Sequence, residues 1–268
     1  MIGRTLFSGK LFLAVVAAAL PVVAAAQGVS AEDANKSNNP LNPAVSLALQ
    51  DLYTPRLYGS DAHTNDLLAR ATIPVLPGEA VKVPQIFRVT APISTRADPN
   101  GGYTTGLGDL NVIDIFLLSK KGGIELGAGP LLSLPSASND ALGSGKWQAG
   151  LAAVVVHSSP QGVAGGLVQW QTSVAGDKDR PNTNTLSAQP VFIRNLHDGW
   201  YLRSSGTWTF NLDTDDYFIP IGLGAGKVFK SGTTVLNAFL EPQWTVAHHG
   251  NGLPKFTVFF GISAQLGR

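Results

Sequence analysis

Apolar and polar positions alternate along the last residues of the chain. Phe256, Val258, Phe260, Ile262, Ala264 and Leu266 fall on one face of an extended segment, and Thr257, Phe259, Gly261, Ser263 and Gln265 on the other. Side chains alternate across a strand, so this segment reads as a strand with one greasy face and one mostly polar face. The pattern recurs over 44–53, 67–75, 84–94, 109–119, 124–134 and 147–157, then over 163–175, 185–196, 200–212, 217–227, 235–246 and 255–265. That makes about twelve strands, an even number as single-chain bacterial barrels require.

The junctions alternate in length. Those at 120–123, 158–162, 197–199 and 231–234 are short, and 77–82 is slightly longer. Long polar stretches lie between them at 54–66, 95–108, 135–146, 176–184 and 247–254; only 213–216 is shorter than the scheme expects. Short turns on one side and long loops on the other are the layout of a transmembrane antiparallel up-and-down β-barrel, with the short turns and both chain ends in the periplasm.

The tryptophans indicate which face meets lipid. Trp147, Trp170, Trp208 and Trp244 fall toward the long-loop ends of their strands and Trp200 at the other end, as two interfacial girdles would place them. Trp200, Leu202, Trp208, Phe210 and Leu212 share one face; Arg203, Ser205, Thr207, Thr209 and Asn211 share the other. An Arg facing lipid at mid-membrane would cost about 2–4 kcal/mol, so the polar faces line the lumen. The run 152–156 is apolar on both faces, and its orientation stays open.

The N-terminus supports the same location. Arg4 and Lys10 precede an apolar stretch over 11–23, followed by Ala24, Ala25 and Ala26. This predicts a cleaved export signal over 1–26 rather than a membrane helix, which needs roughly 20 apolar residues. Residues 27–41, rich in Asn, Ser, Ala and charge, read as a flexible periplasmic lead-in, and 42–268 as the outer-membrane β-barrel. Charged residues make up only 14% of the chain, against about 25% in soluble domains; lipid outside and water inside would account for that. There is no cysteine, which removes thiolate chemistry and a lipid-modified N-terminus. The net charge of +1 and the absence of a basic cluster exclude nucleic acid as an expected partner.

Several motifs appear in order: Thr105-Gly-Leu-Gly-Asp-Leu110, Asn139-Asp-Ala-Leu-Gly-Ser-Gly-Lys-Trp147, Gln189-Pro190, Asp198-Gly-Trp-Tyr201, Pro220-Ile-Gly-Leu-Gly-Ala-Gly-Lys-Val-Phe229 and Glu241-Pro-Gln243. In these the chain resembles the outer-membrane barrels of the "MetA-pathway of phenol degradation" family, often labelled transporter or neuromedin U. The resemblance covers nearly all of 42–268. It implies a Gram-negative outer-membrane barrel with a transport role and no defined substrate. Such a barrel would have lipid and the barrel-assembly machinery as partners. Outer-membrane barrels usually end in an aromatic residue that this machinery reads, whereas this chain ends Leu266-Gly267-Arg268.

Candidate chemistry is sparse. Gly143, Ser144, Gly145 and Lys146 hint at a phosphate loop, but Asp140 stands where a Walker motif needs Gly, and Trp147 where it needs Ser or Thr. The better reading of Asp140, Gly143, Gly145, Lys146 and Trp147 is a tight loop that anchors a strand, with Lys146 at the rim steering anions or simply solvated. The acidic loops 213–216 and 177–179 lack an EF-hand pattern and read as solvated charge. His248 and His249 would point apart on an extended chain, so they read as an exposed loop pair rather than a metal pair. A membrane-embedded hydrolase needs a Ser with a His base; His157 beside Ser158 and Ser159 is the one local pairing, without an orienting group. No enzyme, metal or cofactor is expected.

The inward register of the strands yields lumen-lining candidates: Arg88, Glu125, Gln169, Gln171, Arg203, Phe239, Glu241, Gln243 and Phe259, with Leu131 beside them. The charges would either brace the wall or filter solutes. The sequence points to a porin-like channel or transporter for small solutes, because about twelve strands leave a lumen narrower than that of 16–18-stranded porins; Phe239, Phe259 and Leu131 facing it would constrict it or favour aromatic or partly apolar solutes. The alternative is a plugged structural or surface-binding barrel.

Overall fold

The computed structural model describes residues 29–98 and 101–267, so the expected export signal at 1–26 lies outside the described residues. Fifteen strands form one sheet: β1 (Ser46–Leu57), β2 (Thr64–Val75), β3 (Gln85–Ala97), β4 (Tyr103–Leu107), β5 (Leu110–Lys121), β6 (Ile124–Leu134), β7 (Lys146–Ser159) and β8 (Gly162–Gly176), followed by β9 (Asn184–Asn195), β10 (Trp200–Ser204), β11 (Trp208–Asn211), β12 (Tyr217–Gly222), β13 (Gly224–Ser231), β14 (Thr234–His249) and β15 (Pro254–Gln265). Both β4 and β5 pair with β3, both β10 and β11 with β9, and both β12 and β13 with β14. Each of these couples is one interrupted stave, which makes a closed 12-strand antiparallel barrel. The ring closes where β1 pairs with β15, from Ser46 opposite Gln265 to Tyr53 opposite Val258. Closure leaves no sheet edge, as a β-structure in lipid requires.

Two long loops are shorter than expected. The stretch read as a loop over 95–108 carries β4, zipped to β3 with the Thr95 and Thr105 hydroxyls 2.8 Å apart. β14 runs on to His249.

The outward face is apolar. Leu151 is 62% exposed and Trp244 52%, and Leu47, Leu49, Val155, Val168, Trp170, Trp200 and Ile262 are exposed with them. Such a belt is untenable in water and is the lipid-facing band of a membrane barrel. Trp147 and Trp200 also face outward, and Lys227 lies over the Trp200 ring at 5.0 Å.

The inward face has two halves. At the long-loop end it is polar, with Thr54, Ser94, Ser133, Gln148, Gln243 and Thr257 buried there. At the short-turn end it is apolar: Ile86, Ile113, Ile115, Val154, Val156, Val163, Ile193, Tyr201 and Val228 form one cluster. The run 152–156 is resolved by this cluster, since Ala152, Val154 and Val156 turn inward while Val155 faces out.

The same cluster includes Ala34 and Leu41 of the N-terminal segment. Residues 27–41, expected to be flexible, instead contain the helix α1 (Ala31–Asn38). The Ser30 hydroxyl caps it by accepting from the Asp33 amide at 3.1 Å, and Glu32 and Asp33 stand in its first turn. A helix this short is marginal alone. It is held because Ala34 and Leu41 are buried against the barrel wall.

Candidate functional site

Three strands adjacent in the sheet, β10, β13 and β14, build a polar cluster on the inner wall. Arg203 of β10 stands opposite Gly224 of β13, and Gly224 in turn lies beside Glu241 of β14, whose Cβ is 2.7 Å from where a Gly224 Cβ would be. With no side chain on β13 at this level, Arg203 reaches across it, and its Nε donates to Glu241 Oε2 at 2.6 Å. Ser205, where the stave breaks between β10 and β11, donates its amide to Glu241 Oε1 at 2.7 Å and its hydroxyl to Oε2 at 2.7 Å. Gln243 Nε2 adds a donor at 3.1 Å. The break therefore has a cause: the Ser205 amide serves a carboxylate instead of a ladder. Glu241 is 0% exposed, which a carboxylate tolerates only with its lone pairs satisfied in this way. The Arg203 guanidinium stacks on Phe239 at 3.6 Å from the ring centroid, and Phe239 packs edge-on to Phe259 at 4.9 Å.

One step toward the short turns the arrangement repeats. Tyr201 lies over Gly226, where an added Cβ would collide with the phenol. The Tyr201 hydroxyl donates to Asn237 Oδ1 at 2.6 Å, and Asn237 Nδ2 donates to Asn38 Oδ1 at 3.2 Å. The glycines of 220–229 thus clear a lane for Tyr201, Arg203 and Glu241.

The N-terminal segment is tied to the wall by further polar contacts. Asn35 Nδ2 donates to the Ser159 carbonyl at 2.7 Å, Asn195 Nδ2 to Asn35 Oδ1 at 2.8 Å and Asn39 Nδ2 to Glu125 Oε1 at 3.1 Å. Lys230 pairs with Asp33 at 2.7 Å. Burial works to raise the Asp33 pKa, but the Lys230 ammonium and the Ser30 hydrogen bonds outweigh it and hold the carboxyl below its usual value.

Arg88, Glu125, Gln169, Gln171, Arg203, Phe239, Glu241, Gln243 and Phe259 all project to the interior. Arg203, Phe239, Glu241, Gln243 and Phe259 come together; Glu125 lies apart, bonded to Asn39 and Lys120. Gln171 accepts from Ser133 at 3.3 Å, and Gln169 lies on the inner face, between the outward Val168 and Trp170. Arg88 donates to Thr72 Oγ1 at 3.2 Å and to the Pro40 carbonyl at 3.4 Å.

In the loop before β7, Asn139 caps a 3-10 turn over Asp140–Leu142. Gly143 packs against Asp109, which accepts from the Ser144 amide and hydroxyl at 2.7 and 2.8 Å. Gly145 takes φ +68°, and Arg180 donates to the carbonyls of Asp140 and Gly143. Trp147 faces outward. Lys146, expected at a solvated rim, is only 6% exposed because strand alternation opposite Trp147 turns it into the barrel. His157 is exposed while Ser158 Oγ is buried, so that pair forms no nucleophile–base couple. His248 stacks on Tyr58 at 3.4 Å and His249 on Tyr217 at 6.4 Å. No group of three or more metal-ligating residues occurs among the described residues.

The fold is shared with solved outer-membrane barrels. An outer membrane channel from Pseudomonas putida F1 superposes with a TM-score of 0.62 at 14% identity, over 85% of this chain and 98% of that one. The NanC porin superposes with a TM-score of 0.54 at 7% identity, over 84% of this chain and 100% of that one. At such identities the likeness establishes the fold. No family model matches the chain, and no curated protein matches it.

Sequence reasoning missed the N-terminal helix and Tyr201. The Ser30-to-Asp33 spacing was the available signal for the helix; for Tyr201 it was the inward parity shared with Arg203.

Proposed function

We propose that the protein is an outer-membrane channel for small solutes with a partly apolar body, closed at its short-turn end by its own N-terminal segment. In this reading residues 1–26 are a cleaved signal, the assembly machinery inserts the barrel, and the motif resemblance reflects membership of the phenol-degradation pathway family. The observation that carries the reading is the seating of Ala34 and Leu41 in an apolar inner wall. Polar and ionic ties hold the segment there, and these can be made and broken without unzipping a strand. Phe239 and Phe259, with Arg203 stacked on them, narrow the lumen above it.

The test is planar-bilayer conductance and solute-uptake measurement with the full chain and with a variant lacking residues 29–41. The full chain should conduct poorly and the deletion variant well, with aromatic solutes passing in preference to sugars of similar size. A second reading, a permanently plugged barrel, draws on the same burial. A closed lumen in both proteins would favour it.

A further inference from the structure

The inward arginines of the wall fall into two kinds. Arg96 meets Asp66 at 2.8 Å and Arg203 meets Glu241 at 2.6 Å. Arg70 of β2 and Arg88 of β3 have no carboxylate within ion-pairing distance among the described residues. Their contacts are neutral: Arg70 Nη1 donates to Gln50 Oε1 at 2.6 Å, and Arg88 to Thr72 and Pro40. Arg70 Nε is buried with no hydrogen-bond partner. The register sets Thr90 opposite Arg70 and Thr72 opposite Arg88, so the two guanidiniums are diagonal neighbours on one face.

We propose that Arg70 and Arg88 together bind the carboxylate of a small acid inside the barrel. This rests on the channel reading and names the chemical class of its solute. Two neighbouring cations with no counter-charge, one of them with an unpartnered buried Nε, are costly in a desolvated wall, and one anion relieves both. A carboxylate offers two coplanar oxygens that match the guanidinium fork. The hydroxyls of Thr72 and Thr90 lie on the same face as further donors. The surroundings specify the rest of the ligand. Arg88 stands opposite Ile113, which pairs with Leu131, and Ile86 is the next inward residue along β3; all three are buried in the apolar cluster. A charged head on an apolar body fits this wall, and a compact hydrated anion does not.

Benzoate is the probe, benzamide its uncharged counterpart of the same shape, and inorganic phosphate the compact anion. Binding is measured by calorimetry on the full chain in a non-ionic detergent. Benzoate should bind saturably and about tenfold or more tighter than benzamide, the worth of one or two charge-assisted hydrogen bonds. Arg70→Gln and Arg88→Gln, verified as folded by heat-modifiable migration, should each weaken benzoate by about the same factor. Equal affinity for benzoate and benzamide overturns the proposal, as does undiminished binding in the folded variants or displacement of benzoate by phosphate at equal concentration. The wild-type comparison remains decisive if neither variant folds. Binding in micelles is read without permeation. Selective benzoate binding with no conductance even in the variant lacking residues 29–41 would therefore remove only the channel reading, and conductance of that variant without selective binding in the full chain only the carboxylate site.

Discussion

Arg203 and Glu241 meet across Gly224, with Nε and Oε2 2.6 Å apart and the carboxylate wholly buried. Their charges cancel, and the Ser205 amide and hydroxyl complete the carboxylate. Such a pair is expected to brace the wall rather than filter ions. Removing one member leaves an uncompensated buried charge, which costs about 3–5 kcal/mol. Glu241→Gln and Arg203→Gln should each lower stability by that order in urea unfolding from liposomes. The double change Arg203→Met with Glu241→Leu should restore most of it, and should leave the reversal potential under a salt gradient unchanged. A large shift of that potential in the stable double variant would assign the pair to selectivity instead.

The Asp33–Lys230 pair gives the N-terminal segment a pH dependence. The Asp33 carboxyl lies below its usual value in the folded protein, because Lys230 and Ser30 outweigh burial. A depressed carboxyl contributes its stability fully above the unfolded value, about 3.9, and loses it as pH falls through the folded value. The segment should therefore stay seated from neutral pH down to about pH 4 and loosen below it. Conductance traces should show more frequent openings in that acid range. Asp33→Asn should open as often at neutral pH as the native chain does in acid. Identical traces for both proteins across the range would mean that the pair does not hold the segment.

Alternation made the staves readable because a lipid-facing strand has no choice about its outward side chains. It failed where that constraint is relaxed. Asp51 falls on the outward face between Leu49 and Tyr53, yet it is only 8% exposed and accepts from Asn65 Nδ2 at 2.8 Å. Over 152–156 both faces are apolar, since the inner one meets the N-terminal segment rather than water. α1 was hidden for a related reason. Its Asn- and Ser-rich sequence has loop composition, and it is helical because a distant wall takes up Ala34. The contacts at the candidate site were the least legible. Arg203 and Glu241 lie on staves separated by β13, and only the three-dimensional register shows that Gly224 lets them meet.

Gly226 tests that clearance directly. A Cβ there would collide with the Tyr201 ring, and Tyr201 is fully buried and bonded to Asn237. Gly226→Ala should destabilise the barrel by about 1–3 kcal/mol, the usual cost of overpacking. Adding Tyr201→Phe, which removes the phenol oxygen, should recover part of the loss. Circular dichroism melts of the three proteins in detergent would check this, and a Gly226→Ala melt matching the native one would refute the crowding.

Leu41 separates the seating of the N-terminal segment from the integrity of the barrel. It is 1% exposed, packs near Gly127 and Ile115, and lies outside every strand. Leu41→Ala removes buried apolar contact worth about 2–5 kcal/mol, and Leu41→Asp puts a charge where the wall is apolar, which costs more. Because β1 begins only at Ser46, the β1–β15 ladder that closes the barrel does not depend on this side chain. Both variants should insert and migrate as heat-modifiable barrels. Each should show raised conductance and faster trypsin cleavage after Lys36, more so for Leu41→Asp. Cleavage at the native rate with unchanged conductance would show that the polar ties alone hold the segment. Failure to insert would show that the segment belongs to the folding core of the barrel and is no gate.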